Sequence, residues 1–286
     1  MKFGYFCNTT NWTHKPYHKL LDETKQITEY CDQNNWNSIW FTEHHFNHEG
    51  MESCTNPLML GADAAARTKK IRIGQAANVI TFHNPIRLAE DIATLDQLSK
   101  GRVEVGVARG VYGREAINLN KEADLKDQAK NFRLFAETLE ILKKAWSEKF
   151  FDHKGEFYTY PSPNYVWQHD MSPPSDEFMN MEDNTMKKIS VLSKPYQNPH
   201  PPIHQVVDGI RSIEWAAENN INVIMWIPTV KALKIRFDAY KNKRSEVTKK
   251  NIPLGEGVSL VRDMFVADTM EEAKEKAGQH MVNYMR

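Results

Sequence analysis

The stretch Thr42-Glu43-His44-His45-Phe46-Asn47-His48-Glu49 gathers three imidazoles and two carboxylates. Histidine changes charge near neutral pH and a carboxylate can take or give a proton, so this composition suits general acid/base work. The same residue types suit a metal, with Glu43, His45 and His48 as converging ligands. A solvated loop rich in histidine would account for the composition too. A metal-dependent hydrolase on a barrel usually adds a His-x-His at the end of its first strand. This chain has Tyr5-Phe6-Cys7-Asn8 there, which counts against metal.

Three other segments could meet a ligand. In Ala108-Arg109-Gly110-Val111-Tyr112-Gly113-Arg114-Glu115, open backbone surrounds the planar cation of Arg109, which suits a phosphate or another anion. A surface arginine is the plainer reading. In Asp208-Gly209-Ile210-Arg211-Ser212 a glycine turn leads into a helix, whose free N–H groups attract anions. Asp208 competes for those donors and could simply cap the helix. Ala76-Ala77-Asn78 offers small side chains against which a flat ligand could lie, or merely close packing.

The elements that must position these residues are short β-branched or aromatic runs alternating with stretches of helical period. That is the pattern of βα units in a parallel sheet. Strands are expected over 2–6, 38–42, 71–75, 103–107, 203–207, 223–227 and 258–266. Tyr17, Leu20, Leu21, Thr24, Ile27, Tyr30 and Cys31 mark one helical face, and Phe132 to Trp146 mark another. Pro57 and Pro85 open helices that run to Arg67 and Ser99, the second closed by Gly101 in a left-handed conformation. Further helices start at Ser212, at Val230 and near Met270.

Residues 150–202 hold eight of the 13 prolines and read as a long excursion that serves a site. There is no Gly-x-Gly-x-x-Gly after the first strand and no Walker A loop. Seven strict alternations therefore favour a single-domain (β/α)8 TIM barrel over residues 1–286 rather than a doubly wound dinucleotide fold. The eighth βα unit is missing, so a truncated chain or an element covering two unpaired edges is expected.

The 286 residues include 41% apolar and 26% charged side chains, enough for a large core and unlike a disordered chain. Thirty-seven basic residues balance 37 acidic ones, so no global field draws a nucleic acid or an anionic bilayer. The start MKFGYFCNTTNW has no apolar signal region, and no apolar run reaches the ~18 residues of a membrane span. Cys7, Cys31 and Cys54 show no CxxC spacing and fit the reduced thiols of a cytoplasmic protein.

Taken together, these segments resemble the bacterial luciferase-like monooxygenases, flavin-dependent enzymes on a (β/α)8 barrel. The resemblance runs from Met1 to about residue 275. It is carried by Met1-Lys-Phe-Gly-Tyr-Phe, Trp40-Phe-Thr-Glu-His-His-Phe, Gly74-Gln-Ala-Ala-Asn-Val, His83-Asn-Pro-Ile-Arg-Leu-Ala-Glu-Asp, Leu95-Asp-Gln-Leu-Ser-Lys-Gly-Arg and Gly106-Val-Ala-Arg-Gly-Val-Tyr. It implies that His44 is the catalytic histidine, supported by Glu43 and His45. It implies that Ala76 and Ala77 are joined by a cis peptide beneath the flavin ring. Arg109, Gly209 and Ser212, with Asp208 beside them, match flavin-phosphate contacts. Arg133, four residues before Glu137, is a further match. Glu115 stands where light-producing α chains carry an acid near the flavin. Ala108 stands where those chains have a reactive cysteine, so light emission is not implied.

What the resemblance implies for function is a two-component FMN-dependent monooxygenase. Reduced FMN and O2 would form a C4a-peroxyflavin that oxidises a small, fairly apolar substrate such as an aldehyde, with His44 moving protons. No nicotinamide fingerprint is present, so a separate flavin reductase is the expected partner. Two other readings are a non-catalytic flavin-binding or partner subunit, and an F420-dependent oxidoreductase. A homodimer through helices 57–67 and 85–99 is expected, because Ala62, Ala64, Ala65, Ala66, Ile86, Leu88, Ala89, Ile92, Ala93, Leu95 and Leu98 exceed one barrel-facing stripe. The resemblance implies the same pairing.

Overall fold

In the computed structural model, residues 1–226 and 228–284 are described. Strand and helix alternate over the first part of the chain: β1 (Gly4–Cys7), α1 (Tyr17–Gln33), β2 (Ser38–Phe41), α2 (Pro57–Arg67), β3 (Arg72–Gln75), α3 (Pro85–Ser99) and β4 (Val103–Ala108). The chain continues with α4 (Gly113–Leu119), α5 (Gln128–Ser147), β5 (Ile203–Val206), α6 (Ile210–Glu218), β6 (Asn222–Trp226), α7 (Val230–Thr248), β7 (Val258–Val261) and α8 (Met270–Tyr284).

The seven strands pair in parallel in chain order, with Gly4 opposite Ser38, Ile39 opposite Ile73, Ile73 opposite Val103, Val105 opposite Ile203, Gln205 opposite Val223 and Val258 opposite Val223. The sheet curves into a nearly closed barrel. Phe6 of β1 meets Trp226 of β6 with ring centroids 5.0 Å apart, although no ladder joins β1 to β7 among the described residues.

Side chains alternate across each strand, so Ile39, Phe41, Ile73, Val103, Val105 and Val107 face the helices and are fully or almost fully buried. Inside the barrel, Trp40 fills the space that Gly74 leaves without a side chain, and its ring stands 5.1 Å from His204. Below it Glu104 accepts from His204 Nε2 at 2.7 Å and pairs with Arg72.

Both proline-opened helices have the expected bounds because Asn56 and Asn84 cap them, accepting from Met59 N–H and from Ile86 and Arg87 N–H. At the end of α3 Lys100 already takes the left-handed conformation, ahead of Gly101 at φ +81°.

The structure corrects the expected elements in three places. The last strand stops at Val261 rather than Val266, since Arg262 turns its guanidinium onto the carbonyls of Val261 and Pro228 and leaves 264–266 outside the ladder. Helix α6 starts two residues before Ser212. The short helix α4 was not foreseen. The expected strand end at Ile227 lies outside the described residues.

The excursion is anchored rather than free. A two-residue ladder pairs His153–Lys154 with Thr159–Tyr160, and Glu137 of α5 receives His153 Nε2 at 3.0 Å together with the N–H groups of Glu156, Phe157 and Tyr158. A Cβ at Gly155 would collide with that carboxylate.

The apolar surplus on α2 and α3 is largely consumed within the chain. Leu88, Ala89, Ile92, Ala93 and Leu95 are buried where α3 lies between α2 and α5, leaving Met59, Ala66 and Leu98 exposed.

At the N-terminal end of the barrel, Arg102 uses all five of its N–H donors on Ser99 O, Thr68 Oγ1, Ile71 O, Ala65 O and Thr68 O, at 2.8–3.1 Å. These acceptors include the last carbonyls of α2, which a helix cannot satisfy by itself. Arg102→Ala should lower stability by about 3 kcal/mol, the scale of losing several charge-assisted bonds at a half-buried site. A urea unfolding midpoint that drops with unchanged slope would show it.

Candidate active site

β2 delivers Thr42, Glu43, His44 and His45 to the C-terminal mouth of the barrel, the face on which barrel enzymes build their sites. Glu43 is buried and fully engaged. It accepts from Val79 N–H at 2.7 Å, His83 Nε2 at 2.8 Å and His45 Nε2 at 3.1 Å. Burial pushes its carboxyl up, but the bonds from His45, His83 and Val79 outweigh that and hold it below the usual carboxylate range. For His83, burial pulls the imidazole down, while the bond to and charge of Glu43 more than reverse it, leaving it raised.

His44 lies between two buried carboxylates. Its Nε2 is 3.4 Å from Glu52 Oε1 and its Nδ1 is 3.4 Å from Glu115 Oε1, and the same Glu115 oxygen accepts from His45 N–H at 2.6 Å. Tyr112 stands beside the imidazole at 5.5 Å between ring centroids. The loop that brings Glu52 in is tied down by Arg114, whose guanidinium holds Glu49 and Asn47. Sequence reasoning missed Glu52, which lies in an irregular stretch where no period or spacing marks it. His48 points outward beside Glu49, away from the Glu43–His45 pair. Among the described residues no group of three His, Cys, Asp or Glu is arranged to hold a metal ion.

The peptide between Ala76 and Ala77 is cis. It lies at the end of β3, where Asn78 Nδ2 bonds Gly106 O at 3.1 Å and a side chain at Gly106 would overlap Gln75 O. The residues joined there are small, Ala76 half-buried and Ala77 buried, and Val79 just beyond them donates to Glu43.

Arg109 carries the one charge at this rim that is half-buried without a carboxylate partner among the described residues. Its guanidinium lies 5.7 Å from the Phe132 ring centre and reaches Gln128 O at 3.5 Å, and burial alone holds it below the ordinary arginine value. Phe132 packs edge-on against Trp215 of α6 at 5.3 Å, so one stack links Arg109 to that helix. α6 begins after Gly209 with no side chain capping it, and the space a Cβ at Gly209 would occupy is open. Asp208 does not cap the helix: it pairs with Arg236 at 2.8 Å. A cation without a counter-ion and an uncapped helix start fit the phosphate end of a mononucleotide, and the small-residue shelf at Ala76–Ala77 fits a flat ring.

The luciferase-like monooxygenase family model matches residues 1–286. The chain belongs to this family. It is 27% identical to the oxygenase component of the flavin-dependent trigonelline monooxygenase of Acinetobacter baylyi, over 99% of this chain and 70% of the relative. It is 25% identical to 2,5-diketocamphane 1,2-monooxygenase 1 of Pseudomonas putida, over 97% of this chain and 71% of the relative. Its fold matches the FMN complex of the oxygenating constituent of 3,6-diketocamphane monooxygenase from Pseudomonas putida. That match has a TM-score of 0.80 and 22% identity, covering 99% of this chain and 73% of the other.

Within this luciferase-like barrel the expected site residues fall into three sets. Glu43, His44, His45 and Glu115 converge. Ala76, Ala77, Arg109, Gly209 and Ser212 line the strand ends and the start of α6. Arg133 and Asp208 are already engaged, Arg133 by two bonds to Glu156 at 2.8 and 3.0 Å and Asp208 by Arg236. Ala108 pairs with Val79 beside the cis segment.

The Glu43–His83 pair makes stability pH-dependent in a defined window. Glu43, with a depressed folded value, stabilises above the unfolded carboxylate value of about 4.3 and loses this as pH falls through its folded value. His83, with a raised folded value, stabilises below about 6.5 and loses this as pH rises through its folded value. Both contributions are present together between these limits. Urea unfolding at about pH 5.5 should show His83→Gln clearly less stable than wild type, with the difference shrinking by about pH 9.

Proposed function

We propose that the protein is the oxygenase component of a two-component FMN-dependent monooxygenase. It would take reduced FMN from a separate flavin reductase and oxidise a small, fairly apolar substrate, aldehyde-like, with O2. The observation that carries this reading is Arg109, a half-buried cation without a carboxylate partner among the described residues, beside an uncapped helix start. Arg109 and the Gly209–Ser212 turn would hold the phosphate, and Ala76–Ala77 would support the ring.

Bound reduced flavin supplies the electrons that let one oxygen atom enter the substrate while the other leaves as water. The chain's own groups do the rest. His44 gives or takes a proton at the mouth of the barrel, and Glu43 holds the backbone at Val79 together with His45 and His83. An apolar substrate is favoured by Trp12, Phe46, Val111, Met264 and Phe265. These are exposed large side chains, all on segments that follow strand ends and so gather at the catalytic face.

FMN titration, with the flavin reduced and oxidised, tests the cofactor site. Tighter binding of the reduced form is expected, and Arg109→Ala should weaken it by about 1.5–3 kcal/mol, the range for a charge-assisted bond. Equal affinity in wild type and variant would overturn the phosphate assignment. Tighter binding of F420 than of FMN would favour hydride-transfer chemistry instead. Flavin binding without substrate oxidation in the presence of a reductase would favour a non-catalytic subunit.

The homodimer is proposed through α2 and α3, whose large exposed apolar residues are Met59 and Leu98 at 70% and 60%. An isologous contact would place each pair against its own copy. Ala65 is buried within the chain, so Met59→Glu is the variant that locates the contact. Sedimentation at micromolar concentration should give twice the chain mass for wild type and a single chain mass for Met59→Glu. A single chain mass for wild type would rule the dimer out.

A further inference from the structure

The two carboxylates that flank His44 are held very differently. Glu115 is fully buried on α4, and its Oε1 is fixed by the His45 N–H at 2.6 Å. Glu52 is 7% exposed, stands on the segment between β2 and α2 outside any helix or strand, and has His44 Nε2 at 3.4 Å from its Oε1. Its other oxygen is buried without a hydrogen-bond partner among the described residues, as is Oε2 of Glu115, so the His45 N–H on Glu115 Oε1 is what distinguishes the two. The remaining charges nearby are occupied: Glu43 by three donors and Arg114 by Glu49. Tyr112 adds a ring face at 5.5 Å.

Hydrogen-bond inventory then constrains the proton. A neutral imidazole carries one N–H and one lone pair. His44 Nδ1 is buried without a hydrogen bond among the described residues, and the Glu115 oxygen 3.4 Å from it already accepts from the His45 N–H, so Nε2, facing Glu52, is the ring nitrogen placed to share a proton. Two buried acceptors facing each other would be unfavourable, so a proton belongs between Glu52 Oε1 and His44 Nε2.

We propose that Glu52 is the proton-relay residue of this site, acting through His44. In one direction the Glu52 O–H bond breaks and its proton goes to the Nε2 lone pair, leaving a carboxylate beside an imidazolium. In the other direction the proton returns. Glu52 can pass that proton to and from His44, whereas the Glu115 oxygen that faces His44 is taken by the His45 N–H. What the proton is used for rests on the flavin monooxygenase reading; the sharing itself does not.

Glu52→Gln separates a relay from a loop anchor, because glutamine keeps the shape and can still donate to Nε2 but cannot exchange a proton. Flavin-free protein with 15N-histidine reads the pair directly, with the His44 signals assigned by their loss in His44→Asn. The expected result is an Nε2 resonance that moves with pH differently in wild type and Glu52→Gln. An Nε2 resonance identical in the two proteins at every pH overturns the proposal. Should Glu52→Gln not fold, wild type decides alone: two coupled steps at Nε2 support sharing, and a single ordinary step refutes it.

With reduced FMN and O2, Glu52→Gln should reoxidise flavin with an altered pH profile and a rate lower by about 10²-fold, while FMN affinity stays within about twofold. Failure of both proteins to bind FMN would defeat the flavin reading and leave the histidine spectra to judge the relay.

Discussion

The carboxylate of Glu43 is the point on which the mouth of the barrel depends. It is buried among groups that donate to it, from the backbone at Val79 and from two imidazoles. A buried charge is tolerated only when its hydrogen bonds are supplied, and here the supply comes from three separate segments. One carboxylate therefore ties the end of β2 to the stretch after the cis Ala76–Ala77 peptide and to the turn before α3. With His45 and Glu43 committed to each other, His44 is the imidazole left to face the two other carboxylates.

The opposite end of the barrel is organised by the same accounting applied to structure rather than chemistry. Asp32 accepts from the N–H groups of Lys69, Lys70 and Ile71, and Asp96 accepts from Gln197 N–H and Nε2. With Arg102 they close the turns entering β3, β4 and β5. The run Leu95-Asp-Gln-Leu-Ser-Lys-Gly-Arg thus owes its character to backbone groups needing partners, far along the strands from the histidines. Chemistry at one end and closure at the other are separated by the strands, so loops at the mouth can vary without loosening the barrel.

The three thiols illustrate the division again. Cys31 on α1 and Cys54, distant in the chain, both come near Cys7, and burial pushes each thiol up, Cys31 to about 11. Thiols held protonated are poor nucleophiles, which makes them packing residues beside a site whose reactive groups are imidazoles and carboxylates.

Local chemistry made much of this legible in the chain. Asn-Pro pairs set the starts of α2 and α3, alternation set the strands, and the cluster at 42–49 announced a polar strand end, because each signal lies within a few residues of its effect. The Arg109 cation between glycines was visible for the same reason. Tertiary structure decided the rest. Only folding brings Glu52 and Glu115 to opposite sides of His44, since their separations in sequence follow no helical or strand period. Only folding shows Asp208 and Arg133 engaged by Arg236 and Glu156, which a local reading leaves free to cap a helix or meet an anion. The apolar stripe on α3 is consumed by α2 and α5, and 264–266 leave the sheet despite their β propensity. Such outcomes follow from which surfaces meet, and contact between remote segments is set by the packed barrel rather than by the residues that flank them.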